Sequence, residues 1–157
     1  MRIGVVHGPN LGTLGLREPA VYGSVTLDEV DRRLGDLAGD LAVDLVPLRS
    51  NHEGEIVDFL EAEAAGARGF LVNPGGLTHT SVVLRDALLA TGRPFVEVHV
   101  SNPHARESFR HRSLLSDISA GVVYGFGWRS YLVGLRGLVD QLRSSDGSPS
   151  GPTELGV

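Results

Sequence analysis

Five short apolar runs alternate with amphipathic stretches along this chain, and that alternation restricts its fold more than any other feature. The runs are IGVVH (3–7), AVDLVPL (42–48), GFLVN (69–73), PFVEVHV (94–100) and GVVYG (121–125). Each has strand length and is rich in Val, Leu or Phe. Between the first two, TLDEVDRRLGDLA places Leu27, Val30, Leu34 and Leu37 on one helical face, with Thr26 and Glu29 in capping-box spacing. EGEIVDFLEAEAA follows Asn51, which reads as its N-cap, and aligns Ile56, Leu60 and Ala64. TSVVLRDALLATG and WRSYLVGLRGLVDQLRS predict two more helices. From Ser144 onward, SSDGSPSGPTELGV has no apolar periodicity. The expectation is therefore a single domain over 1–143 and a disordered tail over 144–157.

Strand and helix in strict alternation predict a doubly wound parallel sheet. A chain of 157 residues suits a single core. The expected fold is α/β, a flavodoxin-like three-layer sandwich with a five-stranded parallel sheet in the order 2-1-3-4-5. In such sheets ligands bind beyond the carboxyl ends of the strands. Here the segments following the first four strands are HGPN, RSNHE, NPGGLTH and SNPHAR. All six histidines (7, 52, 79, 99, 104 and 111) fall at strand ends or in the loops after them. The polar chemistry is thus collected along one edge. The loop LGLREPAVYGS (14–24) leaves the first strand at that same edge and carries Arg17 and Tyr22.

Composition removes several function classes. There is no cysteine, which excludes disulfides and thiolate metal sites and suits a cytoplasmic protein. No apolar run approaches the roughly 18 residues of a membrane span, and MRIGVV is too short for a signal peptide. A net charge of −5 argues against nucleic acid or anionic membrane as a partner. Any bound anion must be met locally, and the arginines of HARESFRHRS form the obvious cluster. HGPNLGTLG matches neither a dinucleotide nor a P-loop fingerprint. The histidines lack a recognisable metal-ligand spacing, and no G-x-S-x-G nucleophile elbow occurs. All 14 basic residues are arginine, so Schiff-base chemistry is excluded.

Proton transfer by side chains remains. A tyrosine near pKa 10 is only about 0.1% ionised at pH 7 and makes a poor base unaided. A neighbouring guanidinium favours the tyrosinate, and Arg17 is available on the same loop. Closure of that loop over a substrate would strengthen the effect by excluding water.

The motifs GPNLGTLGLREPAVYGS, SNHEGEIVDFLEAE, NPGGLTHTSVVLRDAL and VEVHVSNPHARESFRHRS, followed by GVVYGFGWRSYLVGLRGL, resemble in order and spacing those of the type II 3-dehydroquinate dehydratases. The resemblance spans roughly residues 3 to 140. It implies a homo-oligomer built from trimers, usually a dodecamer, that needs no metal and no cofactor. It also implies dehydration of 3-dehydroquinate to 3-dehydroshikimate through an enolate. By the same resemblance Tyr22 is the base, Arg17 holds it as tyrosinate, and Asn10 holds a water at the enolate oxygen. His99 is the general acid, oriented by Glu97. Ser101 and the backbone N–H groups of Val100 and Ser101 receive the substrate carboxylate, while Asn73, His79 and Arg110 hold ring hydroxyls. Asp86 reaches the substrate region of a neighbouring subunit, and Arg106 and Glu18 support the lid. His52 and Glu53 read as helix-capping residues, and His111 and Arg112 as loop or interface residues.

The chain departs from the family pattern at His7, where Asn is usual, at Arg112 and Leu114, and at Trp128–Arg129. None carries a chemical step, but all bear on specificity and assembly. A paralogue acting on the amino analogue of dehydroquinate would keep the same base and acid. A non-catalytic binding module would be expected to lack Tyr22, Arg17 or His99, and all three are present.

Overall fold

The computed structural model describes residues 1–16 and 24–147. Its strands are β1 (Arg2–His7), β2 (Asp44–Arg49), β3 (Gly69–Asn73), β4 (Phe95–His99) and β5 (Gly121–Tyr124). All pair in parallel, in the order β2-β1-β3-β4-β5. The α/β sandwich and strand order expected from the alternation are therefore the ones observed. Helices α1 (Leu27–Asp40) and α4 (Arg129–Gly147) cover one face of the sheet, and α2 (Glu53–Glu63) and α3 (Val82–Ala90) the other. No helix among the described residues is long and apolar enough to cross a membrane.

Strand residues alternate between the two helical layers because successive side chains point to opposite faces. Ile3, Val5, Leu71, Val96 and Val98 pack with α1 and α4. Val6, Phe70, Val72 and Phe95 pack with α2 and α3. This parity later decides where each polar residue at the strand ends points. Pro47 sits in β2, an edge strand, where a missing ladder donor is tolerated.

Three local expectations need correction. Thr26 does cap α1, its hydroxyl accepting from Glu29 N at 3.3 Å. The Glu29 carboxylate does not close the capping box, because Arg32 and Arg33 on the next turn bind it instead. Asn51 is not the N-cap of α2. His52 holds that position without a side-chain bond, and Ser50 Oγ takes the His52 N–H at 2.9 Å. Finally, α4 continues through Gly147, four residues past the boundary expected at 143. The Ser144 and Ser145 hydroxyls bond back to the Asp140 and Gln141 carbonyls, and Asp146 pairs with Arg68 at 2.5 Å. The rest of the expected tail, 148–157, lies outside the described residues.

Candidate active site

The chain runs outward from β1 to β2, then crosses back to β3, so the strand order reverses between β1 and β3. Beyond the carboxyl ends at this switch point lies a cavity of about 300 Å³. Asn10, Asn73, His79, His99, Val100, Ser101, Arg106 and Arg110 all line it. Eight of the expected residues thus converge on one space, drawn from the ends of β3 and β4 and the loops after β1, β3 and β4.

Backbone contacts hold these loops close. Gly8 N donates to Asn73 O at 2.8 Å, tying the ends of β1 and β3. Gly75 has φ +57, and a Cβ there would sit 2.8 Å from Pro9 O, so only glycine allows the approach. Asn10 itself is left-handed at φ 68, a conformation asparagine tolerates better than most residues. Its N–H donates to Asn51 Oδ1 at 2.9 Å. Asn51 therefore braces the β1 loop, a task visible only once β1 and β2 lie side by side.

His99 and Glu97 are two residues apart on β4 and share a face. His99 Nε2 lies 2.7 Å from Glu97 Oε1. A carboxylate can only accept, so Nε2 carries the proton and Nδ1 remains unused by any described residue. Glu97 is fully buried yet well satisfied: Thr78 Oγ1 donates at 2.6 Å, and Ser113 Oγ lies 3.0 Å from both oxygens. Burial alone would raise this carboxyl, but the bonds from His99, Thr78 and Ser113 outweigh it and hold Glu97 below the ordinary carboxylate range. The result is an anchored anion behind an imidazole at the cavity wall. Such a pair can hold and deliver a proton near neutral pH.

The rest of the lining suits binding. His79 Nδ1 donates to the Arg112 carbonyl at 2.7 Å, which leaves Nε2 as an acceptor. Arg106 and Arg110 approach the cavity from the segment after β4, both beside the Glu107 carboxylate. Ser101 and Val100 follow His99 directly, and Val100 O accepts from Gly127 N at 3.0 Å. Two guanidiniums and a serine converging on one cavity suit an anionic, hydroxylated ligand.

Some expected residues stand elsewhere. Asp86 does not line the cavity; it lies on the exposed face of α3, together with Val82, Val83 and Leu89. Arg17, Glu18 and Tyr22 lie outside the described residues. The chain on either side of them is close together, since a Cβ on Gly15 would meet Ser24 O at 2.8 Å. Leu14 just before this segment lines the cavity. Glu53 falls in the first turn of α2, where it accepts from the Ser81 hydroxyl. Arg112 and His111 are exposed, and the guanidiniums of Arg33 and Arg129 both lie over the Trp128 ring. Sequence reasoning missed Thr78 and Ser113, and also Tyr131, whose hydroxyl meets His7.

The model of the family described as dehydroquinase class II matches residues 1–139. A 3-dehydroquinate dehydratase of Roseiflexus castenholzii is 50% identical over 139 residues, covering 88% of this chain and 88% of that protein. One from Nostoc sp. is 50% identical over 139 residues, covering 88% of this chain and 95% of its own. The crystal structure of a type II dehydroquinase from Butyrivibrio crossotus matches with a TM-score of 0.85 at 34% identity. That match covers 91% of this chain and 97% of the other.

Proposed function

The chain belongs to the class II dehydroquinase family, and from that premise we propose how its residues divide the work of dehydration. The reaction removes water from 3-dehydroquinate and yields 3-dehydroshikimate, a step of the shikimate pathway. Relatives named for this reaction share 45–50% identity over most of the chain, which favours it over the amino analogue and over a non-catalytic module.

One observation carries the assignment of roles: a fully buried carboxylate backs an imidazole at the wall of a cavity that also receives two arginines. The Tyr22 phenolate, held ionised by Arg17, takes a proton from the carbon beside the ketone. The electron pair moves onto the carbonyl oxygen, and a water held by Asn10 stabilises the resulting enolate. The enolate then re-forms the ketone as the carbon–oxygen bond to the tertiary hydroxyl breaks. His99 Nδ1–H protonates that hydroxyl, so water leaves, and Glu97 balances the charge on the imidazolium. Ser101 and the N–H groups of Val100 and Ser101 receive the carboxylate. Asn73, His79 and Arg110 hold the ring hydroxyls, while Arg106 and Glu18 support closure of the 17–23 segment.

Asp86 would then act in a neighbour's site, which requires an oligomer. Val82, Val83 and Leu89 on the same helix are 58, 55 and 54% exposed, and such an apolar face favours a trimer-based assembly, with twelve subunits as the expected form. The setting we propose is the cytoplasm.

Solvent exchange separates the two proton transfers. In His99→Ala, turnover should fall by roughly 10²-fold or more. Deuterium should still enter recovered 3-dehydroquinate beside the ketone, because Tyr22 acts before the hydroxyl leaves. Tyr22→Phe should abolish both. Loss of exchange together with elimination in His99→Ala would refute the acid assignment.

A further inference from the structure

Two segments far apart in sequence meet at the buried Glu97 carboxylate. One is the 3-10 turn Gly75–His79 after β3, and the other is the irregular stretch over 112–116 that precedes β5. Their contacts fall on both sides of Ser113. Leu114 N donates to Thr78 O at 2.8 Å, and His79 Nδ1 donates to the Arg112 carbonyl at 2.7 Å. Between these ties, two side chains reach the same carboxylate. Thr78 Oγ1 donates to Glu97 Oε1 at 2.6 Å, and Ser113 Oγ lies 3.0 Å from both oxygens. Arg85 of α3 fastens the later stretch as well, its guanidinium donating to the Leu114 carbonyl at 2.6 Å and to Asp117 at 2.5 and 2.9 Å.

A serine hydroxyl has one proton and two lone pairs, and Ser113 commits all of them. Its proton goes to Glu97, while its oxygen accepts from Leu115 N and Ser116 N, both at 3.0 Å. A hydroxyl that takes up N–H groups two and three residues ahead closes a local turn. Here the buried carboxylate grips the turn through the same hydroxyl. Leu115, the next residue but one, is fully buried in the core with α2 and α3, so the turn has little room to shift. The Arg112 carbonyl is thereby held where it fixes the tautomer of His79 and restrains its ring. His79 lines the cavity; Ser113 and Thr78 do not.

We infer that Ser113 is a positioning residue that seats the 112–116 turn on Glu97 and so sets two imidazoles at once. His99 is set through Glu97, and His79 through the Arg112 carbonyl. The inference rests on the proposed roles of His99 as the acid and His79 as a ligand of the ring hydroxyls. One hydroxyl outside the cavity thus serves both turnover and affinity. Thr78 provides the contrast, because its hydroxyl supports Glu97 while its tie to the turn runs through the backbone carbonyl.

Steady-state kinetics with 3-dehydroquinate, read beside Tm, test this. Ser113→Ala should lower kcat roughly 10-fold, the lower end for a hydrogen bond to a charged group, and raise KM roughly 3- to 10-fold. Thr78→Val keeps the side-chain shape and the carbonyl bond to Leu114, so kcat should fall to a like extent with KM near parental. Ser113→Thr retains the hydroxyl and should recover most of both losses. His79→Ala should raise KM at least as far as Ser113→Ala does. Adding Ser113→Ala to it should raise KM no further, because Ser113 reaches the ring hydroxyls only through His79. Ser113→Cys, close in size but a weak donor and acceptor, should show the same paired losses. It carries the decision should Ser113→Ala fail to fold.

Parental kcat and KM in Ser113→Ala, with only a lowered Tm, would overturn the positioning role. So would a lowered kcat beside an unchanged KM, equal losses in Ser113→Thr and Ser113→Ala, or KM effects that multiply in the double variant. An unchanged KM in His79→Ala would instead remove His79 from the hydroxyl contacts, and the turn's part in binding with it. Parental kcat in His99→Ala would remove the acid, and the turn's part in turnover with it.

Discussion

Replacing Glu97 by glutamine removes one negative charge from behind His99 while keeping the shape of the side chain. Oε1, which receives His99 and Thr78, can remain an oxygen. The new amide nitrogen must then take the place of Oε2 and face Ser113 Oγ. That hydroxyl already accepts from Leu115 N and Ser116 N, both at 3.0 Å, and has little acceptor capacity left. A buried N–H without a partner costs about 1–3 kcal/mol of stability. The chemical penalty is separate. A hydrogen bond to a charged partner contributes about 1.5–3 kcal/mol. Losing it from the imidazolium should lower kcat roughly 10- to 150-fold, at about 1.4 kcal/mol per tenfold. KM should move much less, because Glu97 does not line the cavity. The assay is the ultraviolet absorbance of the conjugated enone product. A Glu97→Gln enzyme that folds and retains near-parental kcat would refute the argument that this carboxylate supports the acid.

Acid should weaken the fold in a defined direction. Glu97 and Asp31 lie below their ordinary values, Asp31 because contacts with His7 and Arg49 outweigh its burial, and Arg32 and Arg33 pull Glu29 from 4.5 to about 2. The folded chain then binds fewer protons than the unfolded one, so this stability is complete above the unfolded values and is lost as pH falls through the folded ones. Urea midpoints should decline below pH 4.5, with Glu29 titrating near 2 by NMR, and a level midpoint through that window would contradict the assignment. Turnover should survive exhaustive chelation, since side chains carry every proposed step; loss of activity restored by a divalent ion would overturn the scheme. Val83→Glu puts charge on the exposed face of α3 and, on the proposed assembly, should yield smaller species by light scattering with lower activity. A variant of unchanged mass would remove this face from the assembly.

The fold was legible because both of its periodicities were clean. GFLVN coincides with β3, and the other strands shift by one or two residues. The shift at β2 has a local cause: Ala42 takes φ 50 in the turn that closes α1, so the strand starts only at Asp44. The site was legible where a motif stood in one stretch of chain, as with Glu97 and His99. It was not legible where partners come from distant segments. Ser113 and Thr78 reach Glu97 across 16 and 19 residues, and Tyr131 reaches His7 across 124. A lone Thr or Ser carries no signal of that kind, because what distinguishes it is the buried charge it happens to meet. Asn51 failed as a cap for the same reason, its carboxamide being drawn to the neighbouring loop. Arg17, Glu18 and Tyr22 rest on their motif alone.

Strand parity explains how one small sheet edge serves two tasks at once. Glu97 and His99 point toward α2 and α3, where Thr78 and Ser113 supply hydroxyls. Asn73 and His7 point toward α1 and α4, where Tyr131 and Asp31 meet His7. The cavity lies above both, between β1, β3 and β4. On the proposed roles, the proton-delivering pair faces one helical layer and the hydroxyl-binding amide the other. The two share no hydrogen-bond partner among the described residues, so perturbations of them should combine additively in free energy. Glu97→Gln and Asn73→Ala, expected to act on kcat and KM respectively, therefore form a direct test. Their double variant should show the product of the two losses, and a strong departure from that product would mean the layers communicate through the sheet.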